Sequence, residues 1–200
     1  LLDVLDDAGG KQAVEALLAG LALLGLFAAD RLLDGVWYTI AVAAMAAAMA
    51  YATRIWPLPY VGGMASLLAA FAAVRLFIGR EFWAETPDLP LGAHWVLYGY
   101  GVPAALLWQG SRWLKGDTNM RWRVALEGVS LGLLISLVSL ELRVLIGGGI
   151  TADQMTLLEL SAHALAWMGA AYGLAYRQSL YSGFVSLWGA RVLLAASCLA

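Results

Sequence analysis

The chain has 200 residues, of which 62% are hydrophobic and 13% charged, and its mean hydropathy is +0.77. Soluble domains carry roughly 25% charged residues, so this composition excludes an ordinary water-soluble fold and predicts one all-α, polytopic transmembrane bundle over residues 1–200. The net charge of −2 excludes little, because in a membrane protein the division of charge between loops carries the information.

The opening Leu1 to Gly10 carries Asp3, Asp6 and Asp7 and lacks the basic start of a signal peptide. Seven apolar stretches follow, at about 12–29, 36–53, 60–79, 92–111, 122–146, 156–176 and 180–200, each long enough for an α-helix to cross a bilayer. The second is rich in Ala (41, 43, 44, 46, 47, 48 and 50), which suits close helix packing, and Pro57 and Pro59 end it because Pro cannot continue a helix. Pro87 and Pro90 interrupt the acidic loop before span four. Within that span, Tyr98-Gly99-Tyr100-Gly101-Val102-Pro103 predicts either a Pro kink re-satisfied by neighbouring helices or a short unwound turn lining a cavity. The Gly128/Gly132 and Gly169/Gly173 spacings predict close backbone approach in spans five and six, and Ser130, Ser136 and Ser139 read as hydrogen-bonders between helices. Seven of the nine Trp sit at or near span ends, where an indole keeps its N–H wet in the headgroup region. Cys198 is the only cysteine, so no disulfide forms within the chain. Leu1 in place of Met and an apolar Ala200 predict a piece of a longer chain.

Basic residues divide unequally between the two ends of the spans. Lys11, Arg54, Arg112, Lys115, Arg121, Arg123 and Arg177 fall on one side, against Arg31 and Arg80 on the other. The positive-inside rule makes the first side cytoplasmic and puts the start of the segment on that side. The Arg112 to Arg123 loop could be read as a nucleic-acid or anionic-lipid patch, but topology alone explains its four basic residues; membrane lipids are expected as general partners and nucleic acid is not. A pattern G-x-x-S-L-x-x-A occurs at Gly63-Ser66-Leu67-Ala70 and again at Gly183-Ser186-Leu187-Ala190, which reads either as a parallel internal repeat or as a chance match between Ala-, Gly- and Leu-rich helices.

Ionisable residues inside spans carry the functional signal, since a charge near the bilayer centre costs about 2.5–3.5 kcal/mol even on the lenient insertion scale. Arg75, His94, Glu141, Arg143, Glu159 and His163 fall toward the outer leaflet, while Glu15 and Glu127 lie near inner ends and Arg191 near the middle of span seven. Glu159 and His163, four residues apart, share a helical face. Glu141 and Arg143 point to different faces, so each needs a partner on another helix: Arg75 for Glu141, Glu159 for Arg143. The candidate site is therefore a polar, outward-opening cavity of Arg75, His94, Glu141, Arg143, Glu159, His163 and Arg191, in which arginines hold an anionic group and Glu or His moves a proton. The competing reading is a set of structural ion pairs pinning helices together. Two His and a lone Glu-x-x-x-His lack the convergent ligands of a metal centre, and no cofactor motif is present.

Ser139-Leu140-Glu141-Leu142-Arg143, then Gly147-Gly148-Gly149, Leu158-Glu159, Trp167 and the basic Arg191 resemble the closing portion of a bacterial membrane-protein family, domain of unknown function 2339. The resemblance implies a long inner-membrane chain with many spans, so further spans of the same chain or other membrane subunits are expected partners. It implies no established activity. The family usually has Lys where this chain has Arg191, so a role resting on a lysine amine does not carry over. Taken together, the residues predict a transport or binding module for an anionic or sugar-linked envelope component. The alternatives are a membrane-embedded transferase acting on a lipid-linked substrate, or a structural scaffold.

Overall fold

The computed structural model describes residues 8–56, 58, 60–78, 95–116, 119–147, 155–180 and 183–199. Among these residues there are seven α-helices and no strand: α1 Ala8–Leu32, α2 Gly35–Ile55, α3 Val61–Ile78, α4 Trp95–Trp113, α5 Met120–Gly147, α6 Leu157–Leu180 and α7 Phe184–Leu199. Each predicted span corresponds to one helix, with ends displaced by at most about one turn. The fold is thus an all-α bundle. Four of its helices are long and apolar enough to cross a membrane, over Gly9–Leu32, Gly35–Ile55, Val61–Ile78 and Met120–Ile146, and Phe184–Cys198 is apolar but shorter. In α4 and α6, Gly99, Gly101, Pro103 and Gln109, and Glu159, His163, Arg177 and Gln178, dilute the apolar character. The outer faces are greasy, with Leu24 66%, Leu67 73% and Leu157 84% exposed, an apolar surface that water does not tolerate and lipid does.

The connections follow from local chemistry. Gly35 opens α2 at φ 57 and Gly116 follows α4 at φ 87, left-handed conformations that glycine adopts without the Cβ penalty. The first lets α1 turn back into α2 across Leu33 and Asp34 alone. The start of α3 is capped from another helix, because the Tyr60 backbone N–H donates to Glu15 Oε1 of α1 at 3.1 Å. A carboxylate there meets an unpaired N–H and the positive end of the helix dipole, which accounts for a buried Glu in α1.

Helices α2 to α5 form the central unit, with α2 against α3 and α4, and α4 against α5. Helix α1 lies on the outside of α2, and the α6–α7 hairpin joins the unit mainly through α5. Val42, Ala46 and Ala50 of α2, Ala65, Ala69 and Ala72 of α3, and Ala104 and Leu107 of α4 are fully buried at the centre. The Ala-rich α2 therefore behaves as expected. The predicted glycine seams do not: no neighbour lies within 4 Å of where a Cβ would stand on Gly128, Gly132, Gly169 or Gly173. Close approach occurs at other glycines. A Cβ on Gly99 would meet Val36 Cγ1 at 2.9 Å, and one on Gly110 would meet Leu126 Cδ2 at 3.2 Å and the Ala47 Cα at 3.4 Å.

Helix α4 continues through Pro103 from Trp95 to Trp113, so the unwound turn is absent. Ser130 Oγ donates to Ala104 O at 2.7 Å beside that proline, tying α5 to α4. Tyr100 donates its hydroxyl to Leu76 O at 3.1 Å, satisfying a carbonyl near the end of α3 that has no intrahelical donor among the described residues.

Candidate functional site: an ionic cluster between α5 and α6

Three of the predicted residues meet where α5 approaches its end and α6 begins. Thr156 stands just before α6, and its Oγ1 accepts the Glu159 backbone N–H at 3.2 Å. Thr156-Leu157-Leu158-Glu159 has the spacing of a capping box, in which the glutamate reaches back to the cap residue's own N–H. Glu159 departs from that arrangement. Its side chain is fully buried, neither carboxylate oxygen accepts a hydrogen bond among the described residues, and Oε1 lies 4.0 Å from Arg143 Nε of α5. A buried carboxylate without donors is expensive. The attraction of Arg143 offsets part of that cost, but at 4.0 Å it makes no hydrogen bond.

His163 sits one turn along α6, 5% exposed. Its Nδ1 lies 2.8 Å from Glu159 O and its Nε2 3.0 Å from Ser139 O on α5. Both neighbours are carbonyl oxygens, which only accept. The imidazolium donates to both, whereas either neutral tautomer donates to one and turns a lone pair toward the other. Trp167, a further turn on, packs its ring edgewise on His163 with centroids 5.7 Å apart and donates Nε1–H to Ser139 Oγ at 3.0 Å. Glu159, His163 and Trp167 thus form a four-residue ladder on one face of α6, read by Arg143 and Ser139 on α5.

The other predicted residues lie elsewhere. Arg75, on α3, places its guanidinium 4.3 Å from the centroid of the Tyr38 ring on α2, a cation–π arrangement. Glu141 is half-buried on α5, two residues before Arg143, with Oε1 out of contact with solvent. Arg191 is exposed on α7 with its guanidinium 5.3 Å from the Trp188 ring centroid. His94 lies outside the described residues. Glu127, nearer the other end of α5, pairs with Arg123 at 3.2 Å. Among the described residues no three His, Cys, Asp or Glu side chains converge.

Sequence reasoning missed Thr156, Trp167 and the carbonyl of Ser139. Trp167 carried a signal: it is a Trp inside a span, four residues beyond His163 and eight beyond Glu159, on the same helical face. Of the three serines expected to bridge helices, Ser130 and Ser139 do so, while Ser136 bonds back to Gly132 O of its own helix at 2.9 Å. Comparison of the chain with protein-family models, curated proteins and solved structures finds no match.

Proposed function

We propose that the chain is a bacterial inner-membrane transport or binding module for an anionic or sugar-linked envelope component, with Arg143, Glu159 and His163 as its proton-active centre. The observation that carries the reading is the Glu159 carboxylate, fully buried and accepting no hydrogen bond, beside a guanidinium 4.0 Å away. When a proton binds there, the carboxylate becomes a neutral acid and an anionic group takes its place beside the Arg143 cation. When the proton leaves, Glu159 competes for Arg143 again and the anion is expelled. The His163 contacts hold the ladder to α5, so the exchange takes place at the junction between the central helices and the α6–α7 hairpin. With the basic ends of the helices in the cytoplasm, this junction faces outward. The likeness of the stretch from Ser139 onward to the domain of unknown function 2339 family is part of the same proposal.

The test uses liposomes carrying the purified chain and a trapped pH-sensitive dye, with inward gradients of glucuronate and of glucose 1-phosphate as anionic-sugar probes. Anion-dependent acidification of the lumen by wild type, lost in Glu159→Gln and Arg143→Gln, is the expected result. Traces that are the same with and without anion, combined with a large loss of thermal stability in both variants, overturn it. The cluster would then be a structural pin, the reading favoured by the bonds from His163 and Trp167 to Ser139.

A further inference from the structure

The predicted seam Gly128/Gly132 faces space. Between α5 and α7 lies a cavity of about 550 Å³, open along one side, with Val124, Gly128, Gly132 and Ile135 on one wall and Val185 and Trp188 on the other. No atom stands within 4 Å of the Cβ position of either glycine, so they form a bare floor. Gly189 closes the far side, because a Cβ there would meet Leu131 Cδ2 and Leu174 Cδ1, each at 3.0 Å. All the lining side chains are apolar, so a sugar or a free anion finds no partner inside. The wall from Val124 to Ile135 rises roughly 16 Å at 1.5 Å per residue. That equals about half of the ~30 Å hydrocarbon core. A second transmembrane helix needs a seam of the full thickness, whereas an acyl chain of one leaflet needs half.

The mouth supplies the charge. Arg121 precedes Ala125 by four residues and Gly128 by seven, which places it on the axis of the groove face, one turn beyond its end. It is exposed, its guanidinium lies 4.4 Å from the ring of the interfacial Trp122, and among the described residues no carboxylate pairs with it. Arg123 points away from the groove and pairs with Glu127. An unpaired guanidinium at headgroup depth over an apolar slot one leaflet deep matches an anionic head with a hydrocarbon tail. We propose that the α5/α7 groove binds one acyl chain of an anionic glycerophospholipid, with its phosphate held by Arg121.

The test is native mass spectrometry of the purified chain in detergent with added dioleoyl phosphatidylglycerol or dioleoyl phosphatidylcholine, which share their tails. Wild type is expected to retain at least fivefold more of the anionic lipid. Gly132→Leu, which fills open space, is expected to lose adducts of both lipids at unchanged thermal stability. Arg121→Gln is expected to keep the adducts but bind the two lipids equally. Equal binding by wild type overturns the proposal, as does a lipid preference that survives Arg121→Gln. Adducts that survive Gly132→Leu, or a dimer that this substitution dissolves, also overturn it, the last in favour of a second copy in the groove. Should Gly132→Leu not fold, the Arg121→Gln comparison decides alone.

Discussion

The phenol of Tyr100 and the hydroxyl of Ser130 make hydrogen bonds that look equivalent and are not. Both donate across helices to buried carbonyls, at 3.1 Å to Leu76 O and 2.7 Å to Ala104 O. Ala104 is mid-helix in α4, so its carbonyl already accepts a bond from its own helix, while Leu76 lies in the last described turn of α3 and its carbonyl has no intrahelical donor among the described residues. Removing the Tyr100 hydroxyl strands a buried acceptor, which costs about 1–3 kcal/mol. Removing that of Ser130 takes away a second bond, which for interhelical bonds in a bilayer averages about 0.6 kcal/mol. Tyr100→Phe is therefore expected to destabilise the protein more than Ser130→Ala, although the serine bond is the shorter one. Reversible unfolding in mixed micelles measures both, and equal losses would show that the Leu76 carbonyl finds another donor. The same reasoning marks Glu159 as the costly residue of the cluster, since it has burial without donors.

At the scale of elements, composition announced that helices would pack closely, but spacing alone did not say which glycines would do it. A GxxxG pair is two small residues on one helical face, and the pattern holds no information about what that face meets. Gly169 and Gly173 are exposed on α6, whereas Gly110, with no such partner in the sequence, lets α4 settle on α2 at Ala47 and Ala50. The residues that mark the true seam are the alanines of α2, buried at positions 43, 46, 47 and 50, which recur at three and four and belong to one helix face. Gly110→Leu forces a side chain against Leu126 and the α2 backbone, and overpacking of this kind costs about 1–3 kcal/mol. Gly169→Leu extends into open space and is expected to be neutral or slightly stabilising. Thermal melts of the two variants in one detergent check this, and a similar loss in both would mean that the exposed face of α6 is covered in the native assembly.

For the whole molecule, the all-α bundle and the number of its helices were legible in the sequence, because apolar length, Pro breaks and Trp-marked ends are one-dimensional signals. The candidate site was legible only in part. Arg143, Glu159 and His163 were visible as intramembrane charges, and the Arg143–Glu159 pair follows from the need of each charge for a partner on another helix. What one dimension did not hold was the rotation of each helix, which sets Arg75 against the Tyr38 ring of α2 and leaves Ser139 to receive His163 and Trp167. Topology is where sequence and structure bear on each other most directly. Trp37 packs on Tyr98 near the starts of α2 and α4, and Tyr51 on Trp113 near their ends, so these two helices run parallel and Asp34 and Lys115 stand at opposite ends of the bundle. Lys115 belongs to the basic end with Arg112, Arg121 and Arg123, which the orientation proposed above puts in the cytoplasm. With Cys198 replaced by Ser, a membrane-impermeant maleimide added to intact inner-membrane spheroplasts should label Asp34→Cys at once and Lys115→Cys only after the membrane is opened. The reverse pattern would put the Glu159 cluster on the cytoplasmic side and remove the outward site. Labelling of both positions in intact spheroplasts would mean that the helices between them do not all cross the bilayer, and the exposed apolar faces would then need a covering other than lipid.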